Sequence, residues 1–149
     1  METLFATEIL QVLNVLSPSE SLIKRVSQIK QDIFNQYGKF DSYTSTAHIT
    51  INTYLLDSER ITSFNKKLSE FFSFYPPIDI HVNGFDFWDS SKTMVLKVED
   101  NNDLKRLRKD LNIWRKLNHL KGNYKPTDVP HITMAKNLNN QLYQELKSR

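Results

Sequence analysis

Two short stretches of this chain hold residue types that can do chemistry at a useful spacing: His48-Ile49-Thr50-Ile51 and His131-Ile132-Thr133-Met134. In an extended strand, successive side chains point to opposite faces. In the first stretch Ala47, Ile49, Ile51 and Leu55 then share an apolar face, and His48, Thr50, Asn52 and Tyr54 share the other. In the second, Ile132 and Met134 face the core while His131 and Thr133 face away. Each strand thus presents an imidazole and a hydroxyl roughly 7 Å apart on one polar face. Two such pairs brought together suit a tetrahedral phosphate. One neutral imidazole can take a proton from the attacking oxygen, and one protonated imidazole can give a proton to the leaving oxygen. The hydroxyls can hold the non-bridging oxygens as charge develops there.

The remaining chemistry-bearing residues are few. The other histidines, His81 and His119, read as surface residues. There is no cysteine, which excludes disulfide scaffolds, thiolate metal sites and thiol nucleophiles. Two histidines on separate strands, without a third ligand at near spacing, do not build a zinc site, so no metal and no cofactor is expected. The 149 residues suffice for one domain with its own core. A net charge of +3 permits an anionic substrate without demanding one. The start, Met1-Glu2-Thr3-Leu4-Phe5, has no basic region ahead of an apolar run, and no stretch reaches the length of a membrane span. A cytoplasmic, soluble, monomeric protein is the expectation.

The elements that must position the two motifs follow from periodicity. Residues 2–13 read as a first strand. Ser17-Pro18-Ser19-Glu20 reads as a capping box opening a helix over 18–37, with Leu22, Val26, Ile29 and Ile33 on its apolar face and Gly38 at its end. Residues 47–55 alternate as a strand. Asp57 or Ser58 is placed to cap a second helix carrying Ile61, Phe64, Leu68 and Phe71, with Pro76-Pro77 beyond it. Strands over 78–88 and 93–99 make a hairpin at Asp89-Ser90-Ser91, with a bulge near Asn83-Gly84. A third helix over 102–117 presents Leu104, Leu107, Leu111 and Trp114. A polar loop over 118–129 leads to a strand at 131–136, and Asn139 or Asn140 caps a last helix with Leu142 and Leu146. Strand, helix and strand thus occur twice, and each second strand opens with His-Ile-Thr. This order predicts an α+β fold of one domain with two lobes, two mainly antiparallel sheets, outer helices and a pseudo-twofold relation.

The paired motifs HITI at 48–51 and HITM at 131–134 resemble those of the 2H phosphoesterase superfamily, in particular its bacterial 2′-5′ RNA ligase-like or cyclic phosphodiesterase branch. Asn35-Gln36-Tyr37-Gly38, Val82-Asn83-Gly84-Phe85, and Asn123-Tyr124 ahead of Pro130-His131 extend the resemblance over most of the chain. It implies motifs facing across a central cleft, with His48 and His131 as acid–base pair and Thr50 and Thr133 as phosphate binders. It also implies metal-independent cleavage of RNA-derived phosphodiesters, namely 2′,3′-cyclic phosphate ends or 2′-5′-linked oligonucleotides, with ligase-like reversal of the reaction. The partner is then an RNA end, a cyclic nucleotide or a short oligonucleotide. A module that binds an RNA end or nucleotide without turnover is the alternative. Beside the motifs, Tyr54, Tyr124, Lys125 and Lys136 are candidate substrate contacts. The family usually adds a strand after the last helix, whereas this chain stops 18 residues after His131, so the expectation is either that this strand is missing or that the chain is a piece of a longer protein.

Overall fold

A computed structural model of the chain describes residues 8–123 and 129–149. The elements run β1 (Ile9–Leu16), α1 (Glu20–Tyr37), β2 (Ile49–Asp57), α2 (Ile61–Ser73), β3 (Val82–Trp88), β4 (Thr93–Val98), α3 (Asn102–Leu117), β5 (Lys121–Asn123), β6 (His131–Ala135) and α4 (Asn140–Lys147). This is the expected α+β class. The chain divides into two compact units. One holds most of β1, the body of β2, α2, α3 and β5; the other holds α1, the first residues of β2, β3, β4, β6 and α4.

In the second unit the strands are ordered β2, β6, β4, β3, all antiparallel. Ile49 pairs with Ile132, Ile132 with Leu96 and Leu96 with Phe85, so one apolar row crosses four strands. Directly paired residues point to the same side of a sheet. The row therefore defines the core face, which α1 and α4 cover: Phe85, Phe87 and Met94 line a cavity with Ile29 and Ile33 of α1 and Leu146 of α4. The Phe87 and Tyr143 rings meet edge to face at 6.0 Å. The expected bulge lies between Val82 and Phe85, where Gly84 takes φ +72° at little steric cost.

In the first unit β2 is flanked by β1 and β5. Tyr54, Leu56, Phe64 and Leu120 form its core, with Val12, Ile61, Leu68 and Trp114 packed against them. Leu104, Leu107 and Leu111 bury the predicted stripe of α3, and Asn101 caps it by accepting from the Leu104 amide. The strand β5 falls inside the stretch read as a loop. It has three residues and no alternation to betray it, and it exists because its backbone pairs with Thr53–Leu55. Gly122 permits this, since a Cβ there would lie 2.6 Å from the Thr53 carbonyl oxygen.

Several boundaries differ from those the sequence predicts. The N-cap of α1 is Ser19, whose hydroxyl accepts from the Leu22 amide, and Pro18 lies before the cap. A 3₁₀ turn over Ser58–Arg60 precedes α2, and Asp57 makes no side-chain cap bond there. The two separate sheets are corrected to a single six-stranded network, because β2 pairs with β6 at Ile49 and with β5 at Tyr54. Among the described residues, no helix is long and apolar enough to cross a membrane.

The turn between β3 and β4 is tied to α4 through Asp89, which accepts from Tyr143 Oη at 2.6 Å and from Lys147 Nζ at 2.8 Å. The hydrogen bond from Lys147, then that from Tyr143, holds the Asp89 carboxyl below its ordinary value. The stabilisation is complete above the unfolded aspartate value of about 3.9 and disappears as pH falls through the lowered folded value. Asp89→Asn should therefore be less stable than the parent at neutral pH, with the gap closing below about pH 4. Urea unfolding across that range checks this; a gap that widens on acidification would contradict it.

Candidate active site

The pairing of Ile49 with Ile132 decides what the two motifs do together. Both isoleucines are buried on the core face, at 1% and 0% exposure. Their neighbours in sequence then point to the opposite face. Burial agrees: Ala47 and Met134 are buried, His48, His131 and Thr133 are half-buried, and Thr50 is exposed. Continued by one residue on either side of the Ile49–Ile132 pair, an antiparallel register would set Thr50 across from His131 and His48 across from Thr133. On that register the two imidazoles would be diagonal neighbours, with Cα atoms about 7–8 Å apart. The four expected residues thus share one face of two adjacent strands, within one compact unit.

The two imidazoles are held alike. His48 Nδ1 lies 2.7 Å from the Thr46 carbonyl, and His131 Nδ1 lies 3.0 Å from the Val129 carbonyl. A carbonyl oxygen only accepts, so each Nδ1 carries the hydrogen. In the neutral ring Nε2 is then the free acceptor, and in the protonated ring it is a donor. One anchoring geometry therefore serves either a base or an acid.

Two residues that sequence reasoning missed join this face. Lys97 pairs directly with His131, and its side chain is exposed. Trp88 sets its ring edge to face against the His131 imidazole, with centroids 4.5 Å apart and planes at 68°. Val95 pairs with both Thr133 and Asp86, which places the Asp86 carboxylate one strand further along. A signal for Lys97 was available, since it is the one charge inside the apolar run Met94–Val98. Trp88 could not be found that way, because its meeting with His131 depends on β4 lying between their strands.

The other expected contacts fare differently. Tyr54 is corrected: it is fully buried, edge-on to Phe64 at 5.1 Å and Trp114 at 6.2 Å, and burial pushes its phenol pKa up. The physical reason is a change of phase along β2. Ile49 and Ile51 are buried, but so are Asn52, Tyr54 and Leu56, whereas Leu55, expected in the core, is 48% exposed. Lys136 is exposed, and its backbone N–H donates to the Asp41 carbonyl at 3.4 Å. Tyr124 and Lys125 lie outside the described residues. Among the described residues, no group of three or more His, Asp or Glu side chains could hold a metal ion.

The anchoring of both rings is directly observable. At a pH where the imidazoles are neutral, ¹⁵N spectra should show the Nδ1–H tautomer dominant in His48 and in His131. A dominant Nε2–H form in either ring would contradict the hydrogen bonds described.

A family model described as "2′-5′ RNA ligase superfamily" matches residues 18–149, a span containing both motifs. A Geobacillus kaustophilus (strain HTA426) protein named "Putative phosphoesterase GK0864" is 33% identical over 124 residues, covering 80% of this chain and 69% of that one. A Geobacillus thermodenitrificans (strain NG80-2) protein named "Putative phosphoesterase" is 30% identical over 128 residues, covering 83% of this chain and 72% of that one. With a match that runs from before α1 to the last residue, the chain belongs to the 2′-5′ RNA ligase superfamily of 2H phosphoesterases.

Proposed function

We propose that the protein is a metal-independent phosphodiesterase that cleaves RNA-derived phosphodiesters, either 2′,3′-cyclic phosphate ends or 2′-5′-linked oligonucleotides, by two-histidine acid–base catalysis. The observation that carries this reading is the Ile49–Ile132 pairing, which sets two anchored imidazoles and two hydroxyls on one face. A phosphodiester seated between the imidazoles meets an Nε2 on each side. The neutral imidazole removes a proton from the attacking water as the new P–O bond forms. The protonated imidazole gives its Nε2 proton to the ester oxygen as the old P–O bond breaks. Thr50 and Thr133 donate to the non-bridging oxygens, and the Lys97 ammonium adds fixed positive charge beside His131. With the 5′-hydroxyl of a second RNA end attacking a 2′,3′-cyclic phosphate in place of water, the new P–O bond forms as the ring's 3′ P–O bond breaks, one imidazole takes the hydroxyl proton, the other protonates the departing 3′-oxygen, and the two ends are joined. The units β1–α1–β2 and β4–α3–β6 act as the pseudo-twofold halves, each delivering one motif. Lys136 is offered as a further phosphate contact.

A panel of 2′,3′-cyclic nucleotides and 2′-5′-linked oligonucleotides, assayed in excess chelator, tests this. Because one imidazole must be neutral and the other protonated, the rate should fall on both sides of a bell-shaped pH profile. His48→Ala and His131→Ala should each lose about 10²–10⁴-fold in kcat. The double variant should be little worse, since the two act as one relay. Thr50→Ala and Thr133→Ala should lose less and show part of the loss in KM. Turnover retained in either histidine variant would overturn the mechanism. Tight binding without turnover by the parent would favour the nucleotide-binding alternative.

A further inference from the structure

The apolar face of α1 carries a charge. Val26, Lys30 and Ile33 lie at helical spacing and are all buried, with Lys30 only 2% exposed. Burying an ammonium costs far more than burying the leucine or methionine that would fit this stripe. Burial alone lowers its pKa. The cost is offset by two hydrogen bonds, from Nζ to the Ser42 carbonyl and to the Ser45 carbonyl, both at 2.8 Å. These acceptors bracket the segment that leads into the first motif.

That segment has little regular structure of its own. Ser42 has φ +73°, a conformation non-glycine residues adopt only when their surroundings impose it. A turn closes from the Ser45 amide to the Ser42 carbonyl at 3.1 Å, the same carbonyl that Lys30 holds. The next carbonyl along, that of Thr46, is the acceptor that fixes His48 Nδ1. The segment is also tied to β6: Ser42 Oγ donates to the Met134 carbonyl at 3.1 Å. Around it, Phe34 stacks on Tyr43 at 4.3 Å, and Tyr43 Oη donates to Gln31 at 2.7 Å. A cavity of about 340 Å³ lies alongside, lined by Lys30, Tyr43, Ser45, Thr46 and Ala47 among others, so the segment has room to relax once released.

We propose that Lys30 is a positioning residue for the first histidine: its buried ammonium clamps the Ser42 and Ser45 carbonyls so that the Thr46 carbonyl keeps His48 in its Nδ1–H form. His131 takes its acceptor from Val129, outside this segment, and serves as an internal control. Removing the clamp frees the Thr46 carbonyl to turn away. His48 then samples both tautomers, and its Nε2 no longer points steadily at the polar face. The tautomer effect stands on geometry alone; the effect on catalysis rests on the two-histidine reading.

The test is Lys30→Met in the full-length chain, a change that keeps the length and apolar packing of the side chain. Ring ¹⁵N spectra should show His48 passing from one dominant tautomer to a mixture, with His131 unchanged. On a 2′,3′-cyclic nucleotide that the parent cleaves, kcat should fall about 10- to 100-fold with KM changed less than about threefold, as expected for a misplaced catalytic group. Lys30→Gln keeps an N–H donor on a shorter stem and should lie between. A folded Lys30→Met with His48 still in one tautomer would overturn the proposal. So would a parent protein in which the Lys30 ammonium exchanges its protons as fast as surface lysines, a measurement that needs no variant. Should the parent cleave none of these substrates, the two-histidine reading fails while the tautomer comparison still decides the role of Lys30.

Discussion

The site rests on one apolar row. Ile49, Ile132, Leu96 and Phe85 pair across four antiparallel strands, and burial of the first three under α1 and α4 fixes the register of their strands. A slip by one residue would turn a strand's whole hydrophobic set to the other face, so register is strongly specified where one face is buried. The polar residues of the two motifs alternate with Ile49 and Ile132, and their place on the outer face follows from the same burial. Hydrophobic packing thus sets the spacing of the imidazoles, though it touches neither of them.

Around that row the structure adds orientation. Each histidine gives its Nδ1 hydrogen to a carbonyl two residues earlier in the chain, a local device that both motifs share. The second-level supports differ. His131 is braced by the Trp88 ring, and the turn following Trp88 is moored to α4 through Asp89. His48 follows a segment held by the buried ammonium of Lys30. The two motifs therefore have different surroundings, an aromatic ring against His131 and a buried cation beside the segment that precedes His48.

The strand β2 shows how a simple alternation can mislead. Its buried positions change phase between Ile51 and Asn52, so a residue reading as core, Leu55, is exposed, and one reading as a substrate contact, Tyr54, is fully buried. Tyr54 packs there in an aromatic cluster with Phe64 and Trp114. Burial at each position was decided by what packs on the strand there, which the strand's own sequence does not record.

The helix stripes, the cap of the last helix as one of two asparagines, the bulge at Gly84 and the faces of the two motifs were legible in the sequence. All depend on residues within a few positions of one another, where dihedral preference and the periods of helix and strand act directly. The charge of Lys30 on an apolar stripe and that of Lys97 inside an apolar strand were legible too, as anomalies without a meaning. Their meaning required partners far along the chain: the Ser42 and Ser45 carbonyls for Lys30, and His131 for Lys97. The same holds for Trp88 against His131, for the three residues of β5 and for the pairing of the two motifs. Local sequence determined which way each side chain points from its own element. Which elements become neighbours, and hence which side chains meet, was decided by long-range pairing that buries the common core.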